Sequence, residues 1–176
     1  MKRFLVVVDM QKDFVDGSLG TAEAQAIVPH VAEKIRGFDG TVFATLDTHG
    51  ANYLETSEGR HLPVAHCIKG TPGWQLNADV AAALEGKHAV VLEKPTFGSL
   101  ELVERIRQAA GGADFSVELI GLCTDICVVS NALLLKANFY EQTVRVDAAC
   151  CAGVTPETHR TALTTMRMCQ IEVENA

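Results

Sequence analysis

Three residues that together could open a carbonyl–nitrogen bond stand at or just beyond the ends of three apolar runs: the carboxylate of Asp9, the amine of Lys94 and the thiol of Cys127. The run from Val117 ends at Gly121, a short turn follows, and a helical pattern starts at Thr124. This spacing places Cys127 in the first turn of a helix at the carboxyl end of a strand. There the helix dipole and free backbone N–H groups favour a thiolate and any oxyanion beside it. A thiol needs a base to take its proton, and Asp9, closing the run Phe4–Val8, is expected to be partly desolvated and raised toward that task. Lys94 would stabilise the thiolate and help hold the carboxylate. Taken singly, each has a plainer explanation: core packing for Cys127, a turn cap for Asp9, a solvated charge for Lys94. Their joint placement at the ends of different strands favours the catalytic explanation.

A second constellation is Asp47-x-His49. Residues two apart in an extended segment point the same way and can grip one ion. His66 returns as a third ligand, and Glu58 is preferred to His61 as the fourth. Nitrogen and oxygen ligands suit zinc, ferrous iron or manganese. Cys67, beside His66, is expected to pack inward.

The elements that must position these groups alternate along the chain. Strand-like runs occur at Phe4–Val8, Thr41–Leu46, Ala89–Leu92, Val117–Ile120, Thr143–Val146 and, weakly, Ile171–Val173. Being β-branched and without polar alternation, they predict strands covered on both faces, as in a parallel sheet. Helical spacing links Val28, Val31 and Ile35, with Pro29 expected in a first turn. Ser99 is expected to cap a helix burying Val103 and Ile106, and Thr155-Pro156-Glu157 to open another. The helix after Cys127 carries Val128, Ala132 and Leu135 on one stripe. From Asp47 to Trp74 no strand or helix is evident, but four glycines, two prolines and three histidines are. Loops this long in a compact domain are usually functional, and ligands of open parallel sheets bind beyond the carboxyl ends of the strands. The expected architecture is one α/β domain over residues 1–176, a doubly wound three-layer αβα fold around a mostly parallel sheet of roughly six strands.

Composition narrows the partners. With 48% hydrophobic and 21% charged residues the chain is an ordinary globular protein. A net charge of -7 and the lack of any Lys/Arg cluster argue against a nucleic-acid partner. No apolar stretch approaches membrane-spanning length. The run at the N-terminus is too short for a signal peptide, since Asp9 ends it. Six cysteines without framework spacing fit reduced thiols and a cytoplasmic location.

On these residues the chain resembles the isochorismatase-like cysteine hydrolases, and among them the nicotinamidases. The resemblance runs over nearly the whole length. It rests on Asp9-Met10-Gln11-Lys12-Asp13-Phe14, Asp47-Thr48-His49, His66-Cys67-Ile68-Lys69-Gly70-Thr71, Glu93-Lys94-Pro95-Thr96-Phe97 and Gly121-Leu122-Cys123-Thr124-Asp125-Ile126-Cys127. It implies a catalytic triad of Asp9, Lys94 and Cys127, and one divalent metal, zinc first with iron or manganese as alternatives, held by Asp47, His49 and His66. It also implies a cis peptide at Leu122–Cys123 that aims the Cys123 N–H, with that of Cys127, at the substrate oxygen. Phe14 would lie beside the substrate ring, with Phe97 as a second substrate-binding aromatic. The implied reaction takes nicotinamide to nicotinic acid and ammonia through a cysteine thioester, in NAD salvage, by a homo-oligomer acting on a small carboxamide. Two departures stand out. The histidine that many nicotinamidases carry shortly after D-x-H is absent, and Thr56-x-Glu58-Gly59 resembles the subset that supports Glu58. The tryptophan often found before His-Cys is replaced by Leu62-Pro63-Val64. The rival readings are a relative acting on ureido or carbamoyl amides and a thiol redox or metal-sensing protein built on Cys123-x3-Cys127.

Overall fold

The computed structural model describes all 176 residues. Its strands are β1 (Lys2–Val8), β2 (Thr41–Asp47), β3 (Val90–Lys94), β4 (Phe115–Leu122), β5 (Thr143–Ala152) and β6 (Glu172–Glu174). They form one sheet in the order β3-β2-β1-β4-β5-β6, every pair parallel. The central strands β1, β2 and β4 are buried on both sides, whereas the edge strand β3 leaves Val90, Val91 and Glu93 exposed. Along β1, Phe4, Val6 and Val8 enter one core while Leu5 and Val7 enter the other. Helices α5 (Leu100–Ala110), α6 (Val129–Asn138) and α7 (Pro156–Met168) close the first core. Helices α2 (Ala22–Gly37) and α4 (Ala78–Glu85) close the second. Two short helices, α1 (Lys12–Val15) and α3 (Ser57–His61), lie beyond the carboxyl edge. No helix is long and apolar enough to cross a membrane.

The caps follow the chemistry of the sequence. Ser99 accepts from the Leu102 N–H at the start of α5, and Thr155 and Thr158 form a reciprocal capping box ahead of Pro156. Pro29 differs from expectation. Helix α2 begins seven residues earlier, at Ala22, behind Thr21, whose side chain accepts from the Ala24 N–H. Pro29 therefore sits in the helix interior with its ring on the solvent side. The buried stripe of Ala24, Ile27, Val28, Val31 and Ile35 outweighs the ~3 kcal/mol penalty of an interior proline.

Strand β5 is also longer than its apolar run, continuing through Asp147 to Ala152. Asp147 can lie buried in the strand because Lys34 of α2 reaches it at 2.8 Å and Glu118 of β4 at 2.5 Å. The stretch from Asp47 to Trp74 is not wholly irregular, since it holds a 3-10 turn at Tyr53–Glu55 and helix α3. Gly59 lets these two pack together, because a Cβ there would overlap the Tyr53 carbonyl.

Candidate active site and metal centre

The carboxyl edge of the sheet gathers the groups that the sequence singled out. β1 lies between β2 and β4, where the strand order reverses, and in the register Asp47 stands beside Lys94. Asp9, one residue past β1, has φ 46°, a left-handed conformation uncommon for any residue but glycine. On the other side Gly121 has φ 113°, and a Cβ there would overlap the Val8 carbonyl. Glycine at this point lets β4 run close past β1 and deliver the next residues to the edge. The Leu122–Cys123 peptide is cis, and a tight π-type turn, Thr124–Val128, carries Cys127 into α6.

Lys94 is the hub. Its Nζ is 2.6 Å from Asp9 Oδ2, 3.4 Å from Cys127 Sγ, 3.5 Å from Asp47 Oδ1 and 3.0 Å from the Thr96 carbonyl. Asp9 and Lys94 are almost wholly buried, and Cys127 is nearly so. Burial raises Asp9 above the usual carboxylate range although Lys94 and the Thr45 hydroxyl, which donates to Asp9 Oδ1 at 2.7 Å, pull the other way. The expectation of a thiolate favoured by a helix terminus is corrected. Burial, then the charge of Asp9, push the Cys127 thiol well above its ordinary value, against the pull of Lys94. The physical reason is placement: the thiol is nearly buried where the cleft meets the packed core, and desolvation is the largest influence on it.

A second cluster adjoins the first. One ligand atom from each of Asp47, His49, Glu58 and His66 lies within 4.8 Å of the others. His49 Nε2 is 2.9 Å and His66 Nε2 3.4 Å from Asp47 Oδ2, and both are 3.6 Å from Glu58 Oε1. His66 Nδ1 faces the Val64 carbonyl at 2.9 Å. A carbonyl only accepts, so Nδ1 carries the proton and Nε2 points its lone pair at two carboxylates. Burial and the charge of Asp47 raise Glu58, while Asp47 and Glu58 draw His66 upward against its burial. A divalent cation bound here would satisfy every one of these groups, so the donor set fits a metal of the zinc class. His61 stands outside the cluster, its Nδ1 2.8 Å from the Ser57 carbonyl. Tyr53 packs against both histidine rings, at 4.8 and 4.9 Å.

Both clusters open into one cleft of about 580 Å³. Phe14, Phe97, Leu122, Cys123 and Cys127 line it beside Asp47, Glu58 and His66. Phe14 lies 5.3 Å from the His66 ring, and Phe97 is on the outer wall.

Several buried or half-buried polar residues that hold these groups escaped the sequence reading. Gln11 pairs with Asp47 as a strand would: its Oε1 accepts from the Asp47 N–H at 2.7 Å and its Nε2 donates to the Asp47 carbonyl at 2.8 Å. Asp13 accepts from the Cys67 N–H at 2.7 Å, fixing a residue at φ 47° next to His66. Cys67 itself is buried, as expected. Asn131 donates to the Cys127 and Phe97 carbonyls and accepts from the Ser99 N–H, tying the thiol's turn to the cleft wall. The D-x-Q-x-D-F pattern was the available signal for Gln11 and Asp13, whose polar side chains follow a fully buried strand.

The profile of the isochorismatase domain matches residues 3–176. The chain is 30% identical over 188 residues to the nicotinamidase/pyrazinamidase of Mycobacterium tuberculosis, covering 97% of each. Among solved structures it is similar to the pyrazinamidase of Pyrococcus horikoshii in complex with zinc, at TM-score 0.79 and 28% identity over 98% of both chains. The pyrazinamidase/nicotinamidase of Streptococcus mutans superposes at TM-score 0.85 with 26% identity, covering 98% of this chain and 99% of that one.

Proposed function

The chain belongs to the isochorismatase family, and from that premise we propose that this amidohydrolase converts nicotinamide to nicotinate and ammonia through a thioester on Cys127. The observation that carries the proposal is the buried junction behind the cleft: Lys94 Nζ lies 2.6 Å from Asp9 and 3.4 Å from Cys127, one side chain away from the Asp47, His49, Glu58, His66 cluster. A carboxamide at the thiol and a ring nitrogen at the cluster then belong to the same small molecule. The zinc complex of the P. horikoshii relative and the nicotinamide- and pyrazinamide-hydrolysing names of the others support this reading.

Asp9 accepts the Cys127 proton as the sulfur attacks the carboxamide carbon. The N–H groups of Cys123 and Cys127 hold the oxyanion, a type of contact whose loss costs about 3–4 kcal/mol of barrier. Protonated Asp9 returns its proton to the nitrogen as the C–N bond breaks, ammonia leaves, and the acyl group remains on sulfur. Asp9 then takes a proton from water as the water attacks the thioester, and passes it to the departing Cys127 sulfur as the C–S bond breaks, which restores the thiol and the carboxylate. Lys94 stays charged throughout, because Asp9, Cys127 and Asp47 raise it against its burial, and it offsets the negative charge passing between sulfur and carboxylate. Asp47, His49, Glu58 and His66 would hold a divalent metal, which supplies a Lewis-acidic anchor for the pyridine nitrogen. Nicotinate made here is a precursor for NAD salvage.

Two results are expected from this assignment. Dialysis against a chelator should raise KM for nicotinamide more than it lowers kcat, with recovery on adding back zinc, iron or manganese; unchanged kinetics in metal-free protein would refute the anchoring role. Replacing Thr45 by valine removes a donor that favours ionised Asp9. The base must be ionised to act, so activity falls as pH drops through its pKa, and losing the donor lifts that pKa further. The acid limb of kcat/KM should therefore move to higher pH, and an unmoved limb would place the base elsewhere.

The experiment that tests the function is release of ammonia and nicotinate from nicotinamide, run beside an ureido amide with no ring nitrogen. Preference for nicotinamide supports the proposal; preference for the ureido compound would transfer the site to that other class of amide. The redox reading is the weaker one. Burial pushes Cys123 and Cys150 up to about 12 and raises Cys67 and Cys151 as well, leaving little thiolate for exchange.

A further inference from the structure

The cleft holds more space, and more open apolar surface, than its reacting groups require. Leu19 from the connection between α1 and α2, Leu62 after α3, Phe97 after β3 and Val154 after β5 all reach its mouth from separate segments. Leu62, Phe97 and Val154 are 37%, 41% and 51% exposed. Single exposed apolar residues need no explanation, but convergence around one cleft marks a ligand surface. The polar groups lie together at the floor, where Asp9, Lys94 and Cys127 adjoin the four-residue cluster. At about 30 Å³ per water, the 580 Å³ of the cleft holds the volume of about nineteen waters. A single-ring carboxamide has fewer than half as many non-hydrogen atoms. Anchored at the floor by its amide and its ring nitrogen, it leaves the apolar mouth unfilled.

Building on the nicotinamidase reading, we propose that the cleft is shaped for heteroaromatic carboxamides larger than nicotinamide, with an apolar group on the ring carbon meta to both the nitrogen and the carboxamide. That carbon is the ring position directed away from both floor anchors, so its substituent is carried toward Leu62, Phe97 and Val154. Burying it against these side chains removes apolar surface from water on both partners. Such binding, remote from the bond that breaks, strengthens substrate capture without altering the chemistry at Cys127.

The test compares kcat/KM for nicotinamide, 5-propylnicotinamide and 5-phenylnicotinamide, in wild type and in Leu62→Ser and Val154→Ser. Values several-fold higher for the substituted amides, through lower KM, are expected, with the advantage shrinking in both variants. Hydrolysis of nicotinamide at a higher kcat/KM than either substituted amide would overturn the inference and leave the nicotinamidase reading standing. An advantage that persists in both serine variants would also overturn it, because the substituent would then lie elsewhere. No hydrolysis of any of the three would remove both.

Discussion

Cys127→Ala protein is expected to fold and bind metal as the wild type does while releasing ammonia from nicotinamide at least about a thousandfold more slowly, because a nucleophile that acts as one unit with its base cannot be replaced by the rest of the site. The loss should fall on kcat. The four residues of the candidate metal centre and the aromatic wall formed by Phe14 and Phe97 are untouched by the change. Deleting one sulfur from a packed position costs on the order of 1 kcal/mol, too little to unfold a domain of this size. Serine should not restore the rate. A site that already pushes a thiol well above its ordinary value opposes ionising a hydroxyl still more. Thermal denaturation and metal analysis of the same samples separate a lost nucleophile from a lost fold. Substantial turnover by the alanine protein would assign the attack to another group.

Lys94→Met protein should lose both activity and stability. Lys94 is only 1% exposed, and its ammonium serves Asp9 and Asp47 together. Removing it leaves two buried carboxylates without their common cation, a change that typically costs about 3–5 kcal/mol. The pH dependence gives the loss a signature. Burial already raises Asp9 above its ordinary value of 3.8, and the charge of Lys94 is the largest influence restraining it. A carboxyl raised in the folded state favours folding most when protonated, below its unfolded pKa, and that contribution is lost as pH rises through the folded pKa. Without Lys94 the shift grows, so the variant should be most destabilised at neutral pH and recover part of its deficit toward acid. Denaturant midpoints at neutral and acid pH measure this directly, and an equal deficit at both would show that packing of the lysine stem, not charge, was lost.

How much of this was legible beforehand depended on where each residue finds its partner. The sheet was legible because β1 from Phe4 to Val8 and β4 are buried on both faces and so are largely apolar, the buried Glu118 of β4 being paired with Lys34. The ends were not. β3 runs on to Lys94 because Glu93 and Lys94 pair with Leu46 and Asp47, and β5 runs through Asp147 because Lys34, far away in sequence, neutralises it. Local pattern cannot supply a partner on another element. Helix α3 has only five residues, too few to form by propensity; its Thr56 cap and the close approach at Gly59 hold it. The same limit governed the site. Asp9, Lys94 and Cys127 could be placed because each stands at or shortly after a strand end, and the structure brings them together with Asp47, His49, Glu58 and His66 nearby. Gln11, Asp13, Thr45 and Asn131 were missed as positioning groups, since each acts through a partner at least two dozen residues away or through a backbone atom. The sense of the Cys127 shift was misjudged for a related reason: sequence shows that a thiol begins a helix, but not how deeply that helix end is buried.

The most direct measurement adds hydroxylamine to purified protein turning over nicotinamide and determines ammonia, nicotinate and nicotinohydroxamate in the same samples. A thioester on Cys127 partitions between water and hydroxylamine. Hydroxamate should therefore grow at the expense of nicotinate as hydroxylamine is raised, while the two together match the ammonia released. Ammonia accompanied by nicotinate alone at every hydroxylamine concentration would contradict the account, since water would then attack the amide itself and Cys127 would carry no acyl group.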